Sequence, residues 1–122
     1  MVDNSVLPET YAISANYPNP FNPTTEINYQ VPENANVKIV IFNLLGQKVA
    51  TLVDDELVAG FHSTQFNGLT DRGRPLSSGI YFYRMTTGGF SKTQKMMFLN
   101  RVTHLKYKID LKGRLLPTLH YL

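Results

Sequence analysis

Side chains able to do chemistry are few in this chain and widely separated. Its three histidines, His62, His104 and His120, share no helical or strand spacing that would bring two of them to one ion or one proton, and a general base needs neighbours that tune and aim it. No Ser or Thr stands in a Gly-x-Ser-x-Gly setting, so a hydrolase nucleophile has no elbow to sit on. Cysteine is absent, which removes thiolate nucleophiles, thiolate metal sites and disulfides together. The one run of carboxylates, Asp54-Asp55-Glu56, is contiguous, whereas a calcium loop spaces its ligands at alternate positions and closes on a later acid. The run reads as the opening of a solvated loop reaching Gly60. The glycines sit in turns and not between a strand and a helix, so they form no phosphate cradle. No catalytic residue, metal site or cofactor is expected.

Composition supports a folded domain without an enzymatic signature. The chain has 122 residues, 43% of them hydrophobic and 17% charged, with seven Tyr and seven Phe, which suits one small core and not a disordered segment. The net charge of +3 is local: Arg101, Lys106, Lys108, Lys112 and Arg114 against Asp110 put +4 in the tail and leave −1 for the preceding hundred residues. A nucleic-acid-binding reading would rest on that tail alone. Met1-Val2-Asp3-Asn4 is polar and acidic, so an export signal, if the domain is exported, is expected on a longer parent chain.

The elements that would position any site are strands. Seven Pro and eight Gly punctuate short apolar runs, and no window keeps helical apolar spacing beyond about two turns. Tyr11, Ile13 and Ala15 alternate as a first edge strand over 10–16. Asn16-Tyr17-Pro18-Asn19-Pro20-Phe21-Asn22-Pro23 admits neither helix nor central strand, because each proline removes a donor and extends the residue before it. It reads as an extended lead-in docked by Tyr17 and Phe21, with asparagine side chains folded onto its backbone. Ile27, Tyr29 and Val31 then share one face of a strand over 25–31. The most apolar run, 37–43, is placed centrally. Leu44-Leu45-Gly46-Gln47 is a hairpin turn with Gly46 at positive φ, and 48–53 returns as its partner. Phe61–Phe66, 77–85 with Tyr81, Tyr83 and Met85 buried, and 90–99 complete the set. The best architecture is an all-β, immunoglobulin-like Greek-key β-sandwich of about seven short strands, with residues 1–9 a leader or linker end, 10–100 the sandwich and 101–122 a basic amphipathic extension. Leu105, Tyr107, Ile109 and Leu111 alternate with polar residues there, as in one more strand that could add to a sheet edge or form a homodimer.

The segment NYPNPFNPTTEINYQVPENANVKIVIFNLLGQKV, followed by GLTDRGRPLSSGIYFYRM and KTQKMMFLN, resembles the C-terminal sorting domain of the type IX secretion system in its type A form. The resemblance covers roughly Pro8 to Asn100. One departure is Phe66-Asn67-Gly68 where the family usually carries a Trp-Asp-Gly triplet. The resemblance implies a non-catalytic domain read in the periplasm by the outer-membrane type IX translocon, which exports the cargo N-terminal to it. A sortase-like peptidase then removes the domain, leaving the cargo at the cell surface or outside the cell. The positions matching the family motifs are Pro18, Asn19, Pro20, Pro23, Gly46, Gln47, Gly60, Gly79, Tyr81 and Lys95, and the closing strand, 92–99, is expected to dominate recognition through its backbone. The alternative is a carbohydrate-binding or structural accessory module of the same architecture, with Phe42, Phe61 and Phe82 as candidate sugar-stacking rings.

Overall fold

The computed structural model describes residues 6–100, 107–109 and 111–117. Seven strands form two antiparallel sheets. The first holds β1 (Ala12–Ile13), β2 (Thr25–Val31) and β5 (Gly60–Phe66) in the order β1-β2-β5. The second holds β3 (Ala35–Phe42), β4 (Lys48–Leu57), β6 (Gly79–Thr87) and β7 (Phe90–Phe98) in the order β4-β3-β6-β7. Period-two burial drives this arrangement, since alternate residues of a strand face opposite sides of its sheet. Ile27, Tyr29, Val31 and Phe66 from the first sheet meet Val37, Ile39, Ile41, Tyr83, Met85 and Met96 from the second in one apolar cluster. The expected all-β sandwich is therefore present, with β3 central as its composition requires.

Two polar ties cross the sandwich. The Tyr83 hydroxyl, on a fully buried ring, donates to the Ser14 carbonyl at 2.7 Å, and the Gln94 amide donates to the Ile13 carbonyl at 2.9 Å. The last strands of the second sheet are thereby fixed to the first strand of the other. β1 spans two residues instead of the seven expected, because the chain beyond Ser14 leaves the sheet for the prolines.

The acidic run corrects the sequence reading. β4 does not end at Val53 but continues to Leu57, with Asp54, Asp55 and Glu56 registered against Lys38, Val37 and Asn36. Cross-strand pairing with β3 outweighs the weak strand preference of the acids. Strand alternation then turns Asp55 away from its neighbours. β4 carries extra residues where the register shifts between Ile39 and Val40 and between Ile41 and Phe42, and bulges with a charged outer half discourage pairing with another edge. Near its start the edge is covered by Asp71, whose amide donates to the Val49 carbonyl and whose carboxylate accepts from the Thr51 amide.

The extension also differs from expectation. Instead of one strand over 105–112, β8 (Tyr107–Ile109) and β9 (Leu115–Pro117) pair with each other as an antiparallel hairpin, and Gly113, with φ +82°, lies in the turn. Positive φ is the conformation in which glycine replaces other residues without strain. Leu105, His104 and His120 lie outside the described residues.

Candidate recognition surface

The proline lead-in acts as a clasp between the sheets. Its first half pairs with the start of β2, where Tyr17 and Glu26 exchange both backbone hydrogen bonds, at 2.9 and 2.8 Å. Its second half pairs with the end of β7: the Phe21 amide donates to the Met97 carbonyl at 3.0 Å, and the Leu99 amide donates to the Phe21 carbonyl at 3.1 Å. Between them the Asn19 side-chain carbonyl accepts the Met97 amide at 2.9 Å, doing for β7 what a neighbouring strand would do. The Tyr17–Pro18, Asn19–Pro20 and Asn22–Pro23 peptide bonds are all cis. Buried Asn16 holds the first turn by donating to the Pro18 carbonyl and to the Thr25 hydroxyl, and that hydroxyl in turn donates to the Pro18 carbonyl at 2.8 Å.

Only one of the two expected aromatic anchors enters the core. Phe21 is 1% exposed between Phe66 and Phe98, whereas Tyr17 is 80% exposed. Pairing with Glu26 decides the second case, because residues opposite one another in a ladder share a face and Glu26 lies on the solvent side. The cradle around Phe98 depends on Gly68. A Cβ there would stand 2.8 Å from the Phe98 ring and 3.2 Å from the Pro23 carbonyl oxygen, at φ +76°. Gly68→Ala is expected to cost about 2–3 kcal/mol, combining left-handed backbone strain with displacement of a packed ring. Urea unfolding monitored by circular dichroism measures it, and a loss below about 0.5 kcal/mol would contradict this packing.

The clasp brings sequence-predicted residues together. Asn19, Pro20 and Lys95 line one hollow of about 190 Å³ with Ile80 and Met97. Gly79 and Tyr81 line an adjoining one with Leu44 and Leu45, and Ile80 belongs to both. Gly46, with φ +82°, and Gln47 complete the β3–β4 hairpin that supplies those leucines. Asn43 organises this hairpin: its side-chain oxygen accepts the amides of Leu45 and Gln47, both at 2.9 Å, and its own amide donates to the Gln47 carbonyl. Tyr81 is held by a 2.7 Å hydrogen bond from its hydroxyl to the Ser77 carbonyl.

Five predicted positions line neither hollow: Gly46 and Gln47, which shape the hairpin, and Pro18, Pro23 and Gly60. Pro18 and Pro23 shape the clasp through carbonyls turned to Asn16 and toward Gly68. Gly60 is paired with Val31 at the far end of the first sheet. Ile80 and Met97 were missed by sequence reasoning, although each is an apolar residue at an outward position of a strand, which is a legible signal of a contact surface.

Of the other candidate groups, His62 and Phe42 have structural employment. The His62 ring stacks on Tyr29 with centroids 5.5 Å apart, and its Nε2 lies 2.8 Å from the Val58 carbonyl oxygen. Arg84 covers Phe42, with its guanidinium carbon 5.0 Å from the ring centroid, and Phe82 is half-buried beside it. Phe61 is the most open of the three rings considered for sugar stacking, at 62% exposed.

The molecule thus presents, at one end of the four-stranded sheet, a surface assembled by a clasp, a hairpin tip and a closing strand. The chain belongs to the family described as secretion system C-terminal sorting domain, whose family model matches residues 15–99. The type IX sorting domain expected from the Pro-Asn-Pro-Phe-Asn-Pro run is therefore established. Among solved structures, the chain is similar to dimeric latent PorU from Porphyromonas gingivalis, with a TM-score of 0.61 and 16% identity over 75% of this chain and 10% of that one. That likeness concerns the fold, and this chain spans about a tenth of that protein's length. A comparison with curated proteins finds no match.

Proposed function

We propose that the end of the four-stranded sheet where Asn19, Pro20, Ile80, Lys95 and Met97 converge is the part of this sorting domain that the type IX translocon reads. The cargo lies N-terminal to the domain and crosses the outer membrane after periplasmic transit, and a sortase-like peptidase then separates the two. The domain acts as an address and carries no reaction of its own. The observation that carries the reading is the convergence of motif residues far apart in sequence, Asn19 and Pro20 from the lead-in and Lys95 from β7, on one hollow that Ile80 of β6 also lines.

Recognition by simple strand addition along all of β7 is narrowed by the clasp. Phe21 and Asn19 already occupy the outward backbone groups of Met97 and Leu99. Strand alternation assigns the outward groups of Ser91, Thr93 and Lys95 to the part of the edge that a partner strand can use. Lys95 then stands at the boundary between the pairing edge and the hollow.

A secreted reporter fused ahead of this chain tests the proposal in a host with an active type IX system. Lys95→Glu combined with Met97→Asp is expected to reduce export at least fivefold, since reversed charge and a polar group in the contact disfavour the cognate partner, while the melting temperature of the domain stays within a few degrees. Unchanged export of that variant would place recognition elsewhere on the domain. Failure of the unaltered fusion to leave the periplasm would overturn the reading as a whole.

A further inference from the structure

The tip of the β3–β4 hairpin carries two adjacent leucines in the open, Leu44 at 67% and Leu45 at 82% exposed. Paired exposed leucines at a loop tip are unfavourable in water unless something covers them. Part of the tip's backbone is already satisfied within the hairpin. The amides of Leu45, Gly46 and Gln47 all donate within the hairpin, to the Asn43 side chain or carbonyl, at 2.9–3.0 Å, so insertion would strand none of these donors. Unsatisfied backbone groups are what otherwise keeps irregular chain out of lipid.

Cations flank the same end. The register Lys48–Phe42–Phe82–Lys95 crosses the sheet in one row, and Arg84 lies one step further along on the same face. The acids sharing that face, Asp54 and Glu56, are registered with Lys38 and Asn36 at the opposite end. An apolar tip bordered by lysines matches the surface of a bilayer containing anionic lipid, where leucines enter the acyl boundary and cations meet headgroup phosphates.

We propose that the Leu44–Leu45 tip, with Lys48 and Lys95 beside it, docks this domain on an anionic phospholipid surface. Lys95 is shared with the surface assigned to the translocon, but vesicle binding by the isolated chain and export of a fusion are read independently, so either can fail without the other.

Co-sedimentation of the full chain with vesicles of phosphatidylcholine and phosphatidylglycerol in a 7:3 ratio, roughly the anionic content at which basic segments respond, tests it. The full chain is expected to bind these vesicles, and at least fivefold more weakly those of phosphatidylcholine alone. Leu44→Ser with Leu45→Ser should reduce the partition coefficient roughly tenfold, from the apolar area withdrawn, and Lys48→Glu with Lys95→Glu should reduce it similarly. Unchanged melting temperatures show that the variants are folded. Binding that survives both pairs of substitutions would assign it to another part of the chain, the basic extension included, and overturn the proposal. So would equal binding to neutral vesicles, or no binding, the latter leaving the leucines to a protein partner.

Discussion

Phe21→Ala is expected to lower the stability of the domain by about 3–5 kcal/mol, the range for truncating a fully buried aromatic ring. The ring lies 5.0 Å from Phe98 and 5.8 Å from Phe66 between centroids, so its removal leaves a void bounded by rigid rings that cannot collapse onto one another. The loss is not confined to packing. Phe21 also makes both backbone hydrogen bonds that join the lead-in to β7, and without the ring to hold its position those bonds open to water. Phe21→Leu should recover part of the loss, because it restores apolar volume without the ring contacts. Thermal unfolding should show Phe21→Ala melting more than about 12 °C below the parent, given the usual 4–8 °C per kcal/mol for a domain of this size. A shift under about 4 °C would mean that the clasp is held by its prolines and not by its anchor.

Alkaline unfolding should show the second large effect. Burial pushes the Tyr83 hydroxyl up to about 12, against about 10 in the unfolded chain. Between those values the unfolded state has released the proton and the native state has kept it. Stability contributed by this group is therefore complete below pH 10 and lost as pH rises through 12, by about 2–3 kcal/mol in all. Tyr29 is shifted in the same direction, by burial and then by Asp55, and adds to the fall. Tyr83→Phe removes the Tyr83 share of this slope. It also leaves the Ser14 carbonyl without its 2.7 Å donor, so the variant should be less stable by about 1–2 kcal/mol at neutral pH and more resistant than that deficit implies at pH 11. A pH profile parallel to that of the parent would show that Tyr83 ionises freely in the folded protein.

The central strands were legible in the sequence because one physical rule governs them. In β2, β3 and β6 one face is buried, and period-two alternation states which one, so that Ile27, Val37, Tyr83 and Met85 all fall inside as expected. The ends of strands were less legible. Asp54–Glu56 carries the composition of a loop but is held in register by Asn36–Lys38 across the hairpin, and pairing of that kind has no local signature. Tyr17 and Phe21 show the same limit. Both are aromatic and flanked by prolines, and their opposite fates follow from partners in β2 and β7 that lie outside the motif.

For the proposed recognition surface, the family resemblance points to Asn19, Pro20, Gly79, Tyr81 and Lys95, but not to the clasp that gathers Asn19, Pro20 and Lys95 on one hollow. That grouping depends on the Asn19 side chain reaching the Met97 amide, a contact across the whole length of the sandwich sequence. The same contact explains why the lead-in is rich in asparagine: a carbonyl on a short side chain can continue a ladder that proline interrupts.

The most direct test of the domain as an export address is the distribution of a reporter carrying it at its C-terminus, measured in periplasm, cell surface and medium of a type IX-competent host and of the same host lacking the translocon. The reporter is expected to reach the surface or medium only when the translocon is present, and Phe21→Ala, which opens the clasp, is expected to leave it in the periplasm. Export independent of the translocon, or retention of the unaltered fusion in both hosts, would contradict this expectation.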